Sequence, residues 1–407
     1  MKYRLICCKC GRETEQEPAY KCQYCGNILE FKFDFGKNHL KTKQELPGIF
    51  RFSPQLPITE TDAETISMGE GNTPLIPAVK YKRKGKGKVW WKLELMNPTG
   101  SFKDRASAVF MSCGKKFGIH KMMIASSGNA GASAAAYAAR CGMELTVVVP
   151  ERTPANKVMQ AETHGCRVIK VPGPFSNSYH FCREAAVRYG WFDLTTTFIN
   201  PYAREGYKTI GYEIFEQLGR QSPDWIVIPT GAGPILAAVF QAFQELKQMG
   251  ETEKLPRLVC VQAKNCGPIA EAYLSDQLTV RSREKPEETI ASGINDSLQG
   301  YEDDGDYTLA CIRASKGTAV LLEESEIYHS VLRLAEEGIY AEPAGAVAAA
   351  AIEQLTEQGK IKKNETVVGI VTGHGLKNPL KLSGREPPVM KTPGELERNM
   401  TGGEDAF

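Results

Sequence analysis

Residues 121–150 read KMMIASSGNAGASAAAYAARCGMELTVVVP. Met122–Ala125 is a short apolar run that stops in a turn of small residues. Ala130–Cys141 is alanine-rich and helical in composition, and Leu145–Pro150 is a second apolar run dominated by valine. Strand, turn, helix and strand together form a βαβ unit, whose two strands lie parallel in one sheet. The alternation continues downstream, with a helix near 154–165 and a strand at Arg167–Val171. Upstream, Val89–Leu95 reads as strand and 103–117 as helix. Trp225–Pro229, Leu258–Gln262 and Thr366–Thr372 repeat the short apolar theme, with helical patterns at 233–248, 325–337 and 344–357. This alternation predicts an α/β fold of parallel sheets covered on both faces.

The chain has 407 residues, too many for one compact core, so two or more folded units are expected. Lys and Arg number 50 against 48 Asp and Glu, a net charge of +2. That balance gives no sign of a chain built to bind nucleic acid or an anionic membrane. No apolar run reaches bilayer length, and the start, MKYRLICCKCGRE, lacks the uninterrupted apolar stretch of a secretory signal. The run KYKRKGKGK at 80–88 reads as a solvated turn, and the tail at 391–407 as polar and mobile.

The 12 cysteines are unevenly spread. Cys7 and Cys10 make one C-x-x-C and Cys22 and Cys25 a second, each followed by a glycine. Two such knuckles in residues 1–35 predict a small zinc-ribbon-like module in which four thiolates hold a structural zinc ion. Cys8 is a bystander. The other cysteines are scattered singly, which fits a reduced cytoplasm better than a disulfide framework.

Four segments join a strand to a helix through small or polar residues, the place where open α/β sheets bind ligands. Asn97-Pro-Thr-Gly-Ser-Phe-Lys-Asp-Arg puts Lys103 at a helix start, where the helix dipole and burial favour a neutral, nucleophilic amine. Ala125-Ser-Ser-Gly-Asn-Ala-Gly lets a flat ligand approach the backbone, with the Asn129 amide to meet it. Pro229-Thr-Gly-Ala-Gly-Pro can turn backbone N–H groups toward a phosphate. Val371-Thr-Gly-His-Gly ends a strand on the Thr372 hydroxyl. Each has an ordinary reading in isolation: a surface lysine, a capped turn, a glycine loop, a structural histidine at 374.

Taken in order, these segments closely resemble the fold-type II, tryptophan synthase β-like pyridoxal-phosphate enzymes, and among them the threonine synthases. The resemblance runs from about Gly69 to Pro379. It rests on EGNTPL (70–75), SFKDR (101–105), ASSGNAG (125–131), NPYAREGYKT (200–209), VQAKNCGPI (261–269), ASGI (291–294), EPAGA (342–346) and TGHGLKNP (372–379).

The resemblance implies a lyase of amino-acid biosynthesis that turns O-phosphohomoserine and water into threonine and phosphate. The alternative is a related β/γ-elimination or replacement enzyme, threonine/serine dehydratase-like, cysteate synthase-like or a specialised biosynthetic homologue. It implies two open twisted parallel-sheet domains beside the N-terminal module: a large domain from 36–98 and 200–390, and a small one from 99–199. Lys103 would hold the cofactor as a Schiff base. Phe102, Asn129, Thr230, Gly231, Ala232, Gly233 and Thr372 would contact it. Ser101, Ser126, Ser127, Asn200, Arg204, Lys208 and Thr209 would bind substrate. A homodimer is usual in the family. Three positions depart from its pattern: Ala106 replaces a glycine, Ala203 an arginine and Tyr207 a glutamine.

Overall fold

The structure, a computed structural model, describes residues 3–15, 17–35, 39–83, 87–173, 175–284 and 287–380, with 389, 390, 392 and 395. The tail read as mobile lies almost wholly outside the described residues, as does the centre of the 80–88 turn.

The βαβ unit at 121–150 is present. Strand β6 (Lys121–Ala125) and strand β7 (Glu144–Pro150) lie parallel, joined by the helix Asn129–Cys141. With β8 (Arg167–Val171) and β9 (Phe192–Asp193) they form a four-stranded parallel sheet in the order β8-β7-β6-β9. A second sheet has the order β12-β11-β10-β13-β5-β4. Its strands are β4 (Leu75–Pro77), β5 (Lys88–Lys92), β10 (Trp225–Pro229), β11 (Arg257–Ala263), β12 (Thr318–Leu322) and β13 (Thr366–Ile370). It is parallel except at its edge, where β4 runs antiparallel to β5. The expectation of purely parallel sheets is corrected there. Three residues suffice for an antiparallel edge strand, and Pro77 suits an edge because it has no N–H to donate.

Val89–Leu95 is strand only to Lys92 and then turns into a short 3-10 segment, Glu94–Met96. The pattern at 344–357 is interrupted at Val347 into helices Pro343–Ala346 and Ala348–Glu357. The N-terminal residues form an antiparallel sheet of β1 (Tyr3–Cys7), β2 (Glu13–Thr14) and β3 (Leu29–Phe33), ordered β2-β1-β3. The stretch after it buries Ile49, Phe50 and Phe52 in the main core.

The helix Pro201–Gln217 is the central strut. Asn200 caps it by accepting from the Tyr202 N–H at 3.0 Å, with Pro201 in the first turn. It crosses the helix Lys103–Lys116 at Gly206, where a Cβ would stand 2.2 Å from the Arg105 carbonyl oxygen. Only glycine permits that approach. Beside the crossing lies a fully buried charge network. Arg105 binds Glu94 and Glu213, both at 2.7 Å, and Lys92 Nζ binds Glu213 at 2.7 Å. Removing a partner from such a network leaves a charge stranded in low dielectric.

Candidate active site

The segment before Lys103 is tied to the loop after β13. Ser101 and Gly373 form an isolated bridge, and the Phe102 N–H donates to the Thr372 carbonyl at 3.1 Å. Lys103 then opens the helix Lys103–Lys116. The next two residues lock that start. Asp104 accepts from Thr99 N–H at 2.7 Å and Ser133 Oγ at 2.6 Å, and Arg105 anchors the charge network.

Lys103 lines a cavity of about 720 Å³ between the two large sheets' loop ends. Its Nζ lies 3.0 Å from Thr196 Oγ1 and 4.6 Å from the centre of the Phe102 ring. Burial pulls the amine down to about 8, against the opposing pull of the Asp296 and Glu342 carboxylates. The amine is therefore closer to its neutral form at physiological pH than an exposed lysine.

Asn129 lies on the same cavity and donates to Glu342 Oε1 at 2.7 Å. A Cβ at Gly373 would fall 2.2 Å from that oxygen, so a side chain there would push the Glu342 carboxylate away from Asn129. Gly231, Ala232 and Gly233 also line the cavity, just before the helix Pro234–Gln248. The Gly231 and Ala232 carbonyls accept from Gln262 Nε2 (3.1 Å) and Thr308 Oγ1 (2.7 Å). In a trans peptide the following N–H points the opposite way, so the loop's N–H groups are presented on the other side, at a helix N-terminus. Gly233 sits at φ +103, where side chains are strained. Phe102, Ser126, Ser127 and Thr372 complete the expected residues on this wall. An amine for an aldehyde, an N–H cradle for a phosphate, and an amide and a hydroxyl for a ring fit pyridoxal phosphate.

Other expected contacts lie elsewhere. Thr230 donates to the Ile228 carbonyl at 2.8 Å and is outside the cavity lining. Ser101 is buried behind the wall. Asn200 is a helix cap that donates to the Asp193 carbonyl at 2.6 Å. Arg204 points to the N-terminal sheet, bonding the Leu29 carbonyl and packing on Phe198 and Tyr307. Lys208 is buried with Glu205 at 2.5 Å and Glu245 at 3.2 Å, an internal ion pair rather than a surface one. Thr209 donates to the Gly206 carbonyl at 2.6 Å and accepts from Arg105. Of this helix it is Tyr207 that lines the cavity. His374 has a structural role, capping the following turn through Leu376 N–H at 3.1 Å.

Four charged cavity residues carry no expectation from the sequence. Glu342 is held neutral more readily than usual, burial raising it to about 7. Asp296 is pinned by Tyr301 OH (2.7 Å) and the Leu298 N–H (3.0 Å), and burial raises it too. Lys157 and Lys377 bring positive charge, Lys377 donating to the Thr99 carbonyl and to Gln160 Oε1, both at 2.8 Å. EPAGA and TGHGLKNP contain Glu342 and Lys377, so the signal was present as motif without role.

In the N-terminal module the sulfurs of Cys7, Cys10, Cys22 and Cys25 all lie within 4.8 Å of one another. Cys7–Cys25 is 3.4 Å and Cys10–Cys22 is 3.7 Å. Tetrahedral zinc–thiolate bonds place sulfurs roughly 3.8 Å apart, so the donor set fits the ion. Cys8 turns aside to Asn27 Oδ1 at 3.0 Å.

Residues 66–373 match the model of the pyridoxal-phosphate dependent enzymes, and the chain belongs to that family. It is 36% identical to the threonine synthase of Methanosarcina acetivorans over 384 residues, 93% of each chain. It is 34% identical to that of Methanocaldococcus jannaschii, covering 92% of each. Within the family it belongs with the threonine synthases, which are lyases. Maize serine racemase shares the fold, with a TM-score of 0.65 at 19% identity over 81% of this chain and 92% of that one. Among the described residues no helix is long and apolar enough to cross a membrane.

Proposed function

We propose that this chain converts O-phosphohomoserine and water into threonine and phosphate. One observation carries the reading: Lys103, Asn129, the 231–233 loop and Thr372 share one cavity in a chain aligned almost end to end with threonine synthases. Pyridoxal phosphate, when bound, supplies the electron sink for negative charge at the substrate α-carbon. Lys103 holds it covalently. The N–H groups of Gly231, Ala232 and Gly233 take its phosphate, Asn129 its ring hydroxyl oxygen, and Thr372 its ring nitrogen, with Phe102 alongside.

Lys103 Nζ is the base that takes the substrate's α-proton and then a β-proton. A neutral amine is needed for this, and burial provides it. Over the cycle the Cγ–O bond breaks with its electron pair leaving on phosphate, a water oxygen bonds to Cβ, the two protons held by Lys103 return to Cγ and Cα, and the proton lost by the water goes to the departing phosphate. Ser126 and Ser127, before the Asn129–Cys141 helix, bind the substrate carboxylate. Lys157 and Lys377 replace Arg204 and Lys208 as partners for the substrate phosphate, because they line the cavity and the other two do not.

The cysteine cluster is proposed to hold a structural zinc ion, in a cytoplasmic homodimer built of the module at 1–35, the large domain and the 99–199 domain. Assay of the cofactor-loaded protein with O-phosphohomoserine tests the function: equal amounts of threonine and phosphate are expected. Release of neither turns the reading to a related elimination or replacement enzyme. Ala203 and Tyr207 favour that alternative, since the helix carrying them brings no cation to the cavity.

A further inference from the structure

Tyr207 is where this chain departs from the family's glutamine, and it stands at the reacting end of the cavity. Its side chain is buried, and among the described residues its hydroxyl proton meets no acceptor. Thr196 hydrogen-bonds to the Tyr207 oxygen, and its hydroxyl also accepts from Lys103 Nζ at 3.0 Å, so its one proton goes to Tyr207 and the phenol's own proton is left without an acceptor. That Nζ lies 5.3 Å from the centre of the Tyr207 ring, and the Phe102 ring is 4.8 Å away. A Lys103 side chain turned toward a bound cofactor would leave the space beside Tyr207 free for a ligand. A buried phenol left unpaired is costly, and a ligand atom relieves it.

The chemistry of that ligand is constrained. Burial lifts the Tyr207 pKa far above its ordinary value, so the hydroxyl keeps its proton and acts as a donor. Ala203, one turn earlier, is buried outside the cavity lining, and Arg204 and Lys208 bond away from the cavity. This wall therefore offers a neutral donor and no charge.

We propose that Tyr207 is a specificity-determining residue whose hydroxyl donates a hydrogen bond to the oxygen carried on the substrate's side chain. The proposal rests on the reading that an amino acid meets pyridoxal phosphate in this cavity. The test titrates cofactor-loaded wild type and Y207F, which keeps the ring, with three amino acids, following cofactor absorbance. L-Threonine and O-phosphohomoserine carry a side-chain oxygen; L-2-aminobutyrate is the oxygen-free match. Y207F is expected to weaken the two oxygen-bearing ligands about tenfold, the loss of one hydrogen bond, and 2-aminobutyrate less than twofold. Equal weakening of all three, no weakening, or a loaded wild type that responds to none overturns the proposal. Phosphate release by wild type is scored separately. Its absence alongside the expected binding contrast removes the threonine synthase reading and leaves Tyr207 in its role.

Discussion

Replacing Arg105 with methionine keeps most of the side-chain length and removes the charge. Arg105 donates to both oxygens of Glu94 (2.7 and 2.8 Å) and both oxygens of Glu213 (2.7 and 2.8 Å). All three side chains are 0% exposed. In R105M, Glu213 retains Lys92, whereas Glu94 retains only the neutral donors Thr73 and Asn97. Stranding a buried charge this way costs about 3–5 kcal/mol, a large share of the roughly 5–15 kcal/mol that holds a domain together. With an m-value of about 3 kcal/mol/M in urea, the midpoint falls by about 1–1.7 M. Urea titrations of wild type, R105M and R105M/E94Q, read by circular dichroism, measure it. The second change removes the stranded charge and is expected to recover part of the loss. A drop below about 0.3 M in R105M, or no recovery with E94Q, refutes the electrostatic origin of the effect.

Glu342 sets a pH dependence in the cofactor-free protein. Its pKa is raised to about 7 from an ordinary 4.5. The folded state therefore binds the proton more tightly. Its contribution to stability is full below pH 4.5 and is lost as pH rises to about 7, by at most about 1.4 kcal/mol per pH unit. E342Q is expected to flatten that decline in thermal melts; an unchanged slope contradicts the assignment. Metal analysis is expected to give one zinc per chain, with C22S losing it and melting lower; wild type without zinc contradicts the site. K157A and K377M are each expected to raise KM for O-phosphohomoserine about tenfold or more, the loss of a charged contact, while the cofactor spectrum stays unchanged. An unaltered KM in both moves the phosphate elsewhere.

The alternation of apolar runs and helices was enough to read three strands of the four-stranded sheet, β6, β7 and β8, because each is a short apolar run bounded by turn residues. Arg167–Val171 and Trp225–Pro229 fall where their composition puts them. The edge strand β4 and the two-residue β9 were missed, since two or three residues carry no period, and the other edge strand, β12, was missed as well. Lys103, Asn129 and the glycine loop were legible because each closes a strand or opens a helix, the two positions that face the same cleft. The substrate side was not. Arg204 and Lys208 are four residues apart and share a helix face, but nothing local says which face meets the cavity. Their charges are answered by Glu205, Glu245 and the Leu29 carbonyl, partners brought in by tertiary packing. Lys157 and Lys377 are 220 residues apart in sequence and meet only through the fold.

Everything proposed for the cavity depends on Lys103 being the cofactor's attachment point. Borohydride reduction of the protein loaded with pyridoxal phosphate, followed by peptide mass spectrometry, reads this directly. The reduced cofactor is expected on the peptide containing Lys103, at one equivalent per chain, and K103A is expected to carry none and to lose activity. Label on another lysine, or undiminished turnover by K103A, contradicts the assignment.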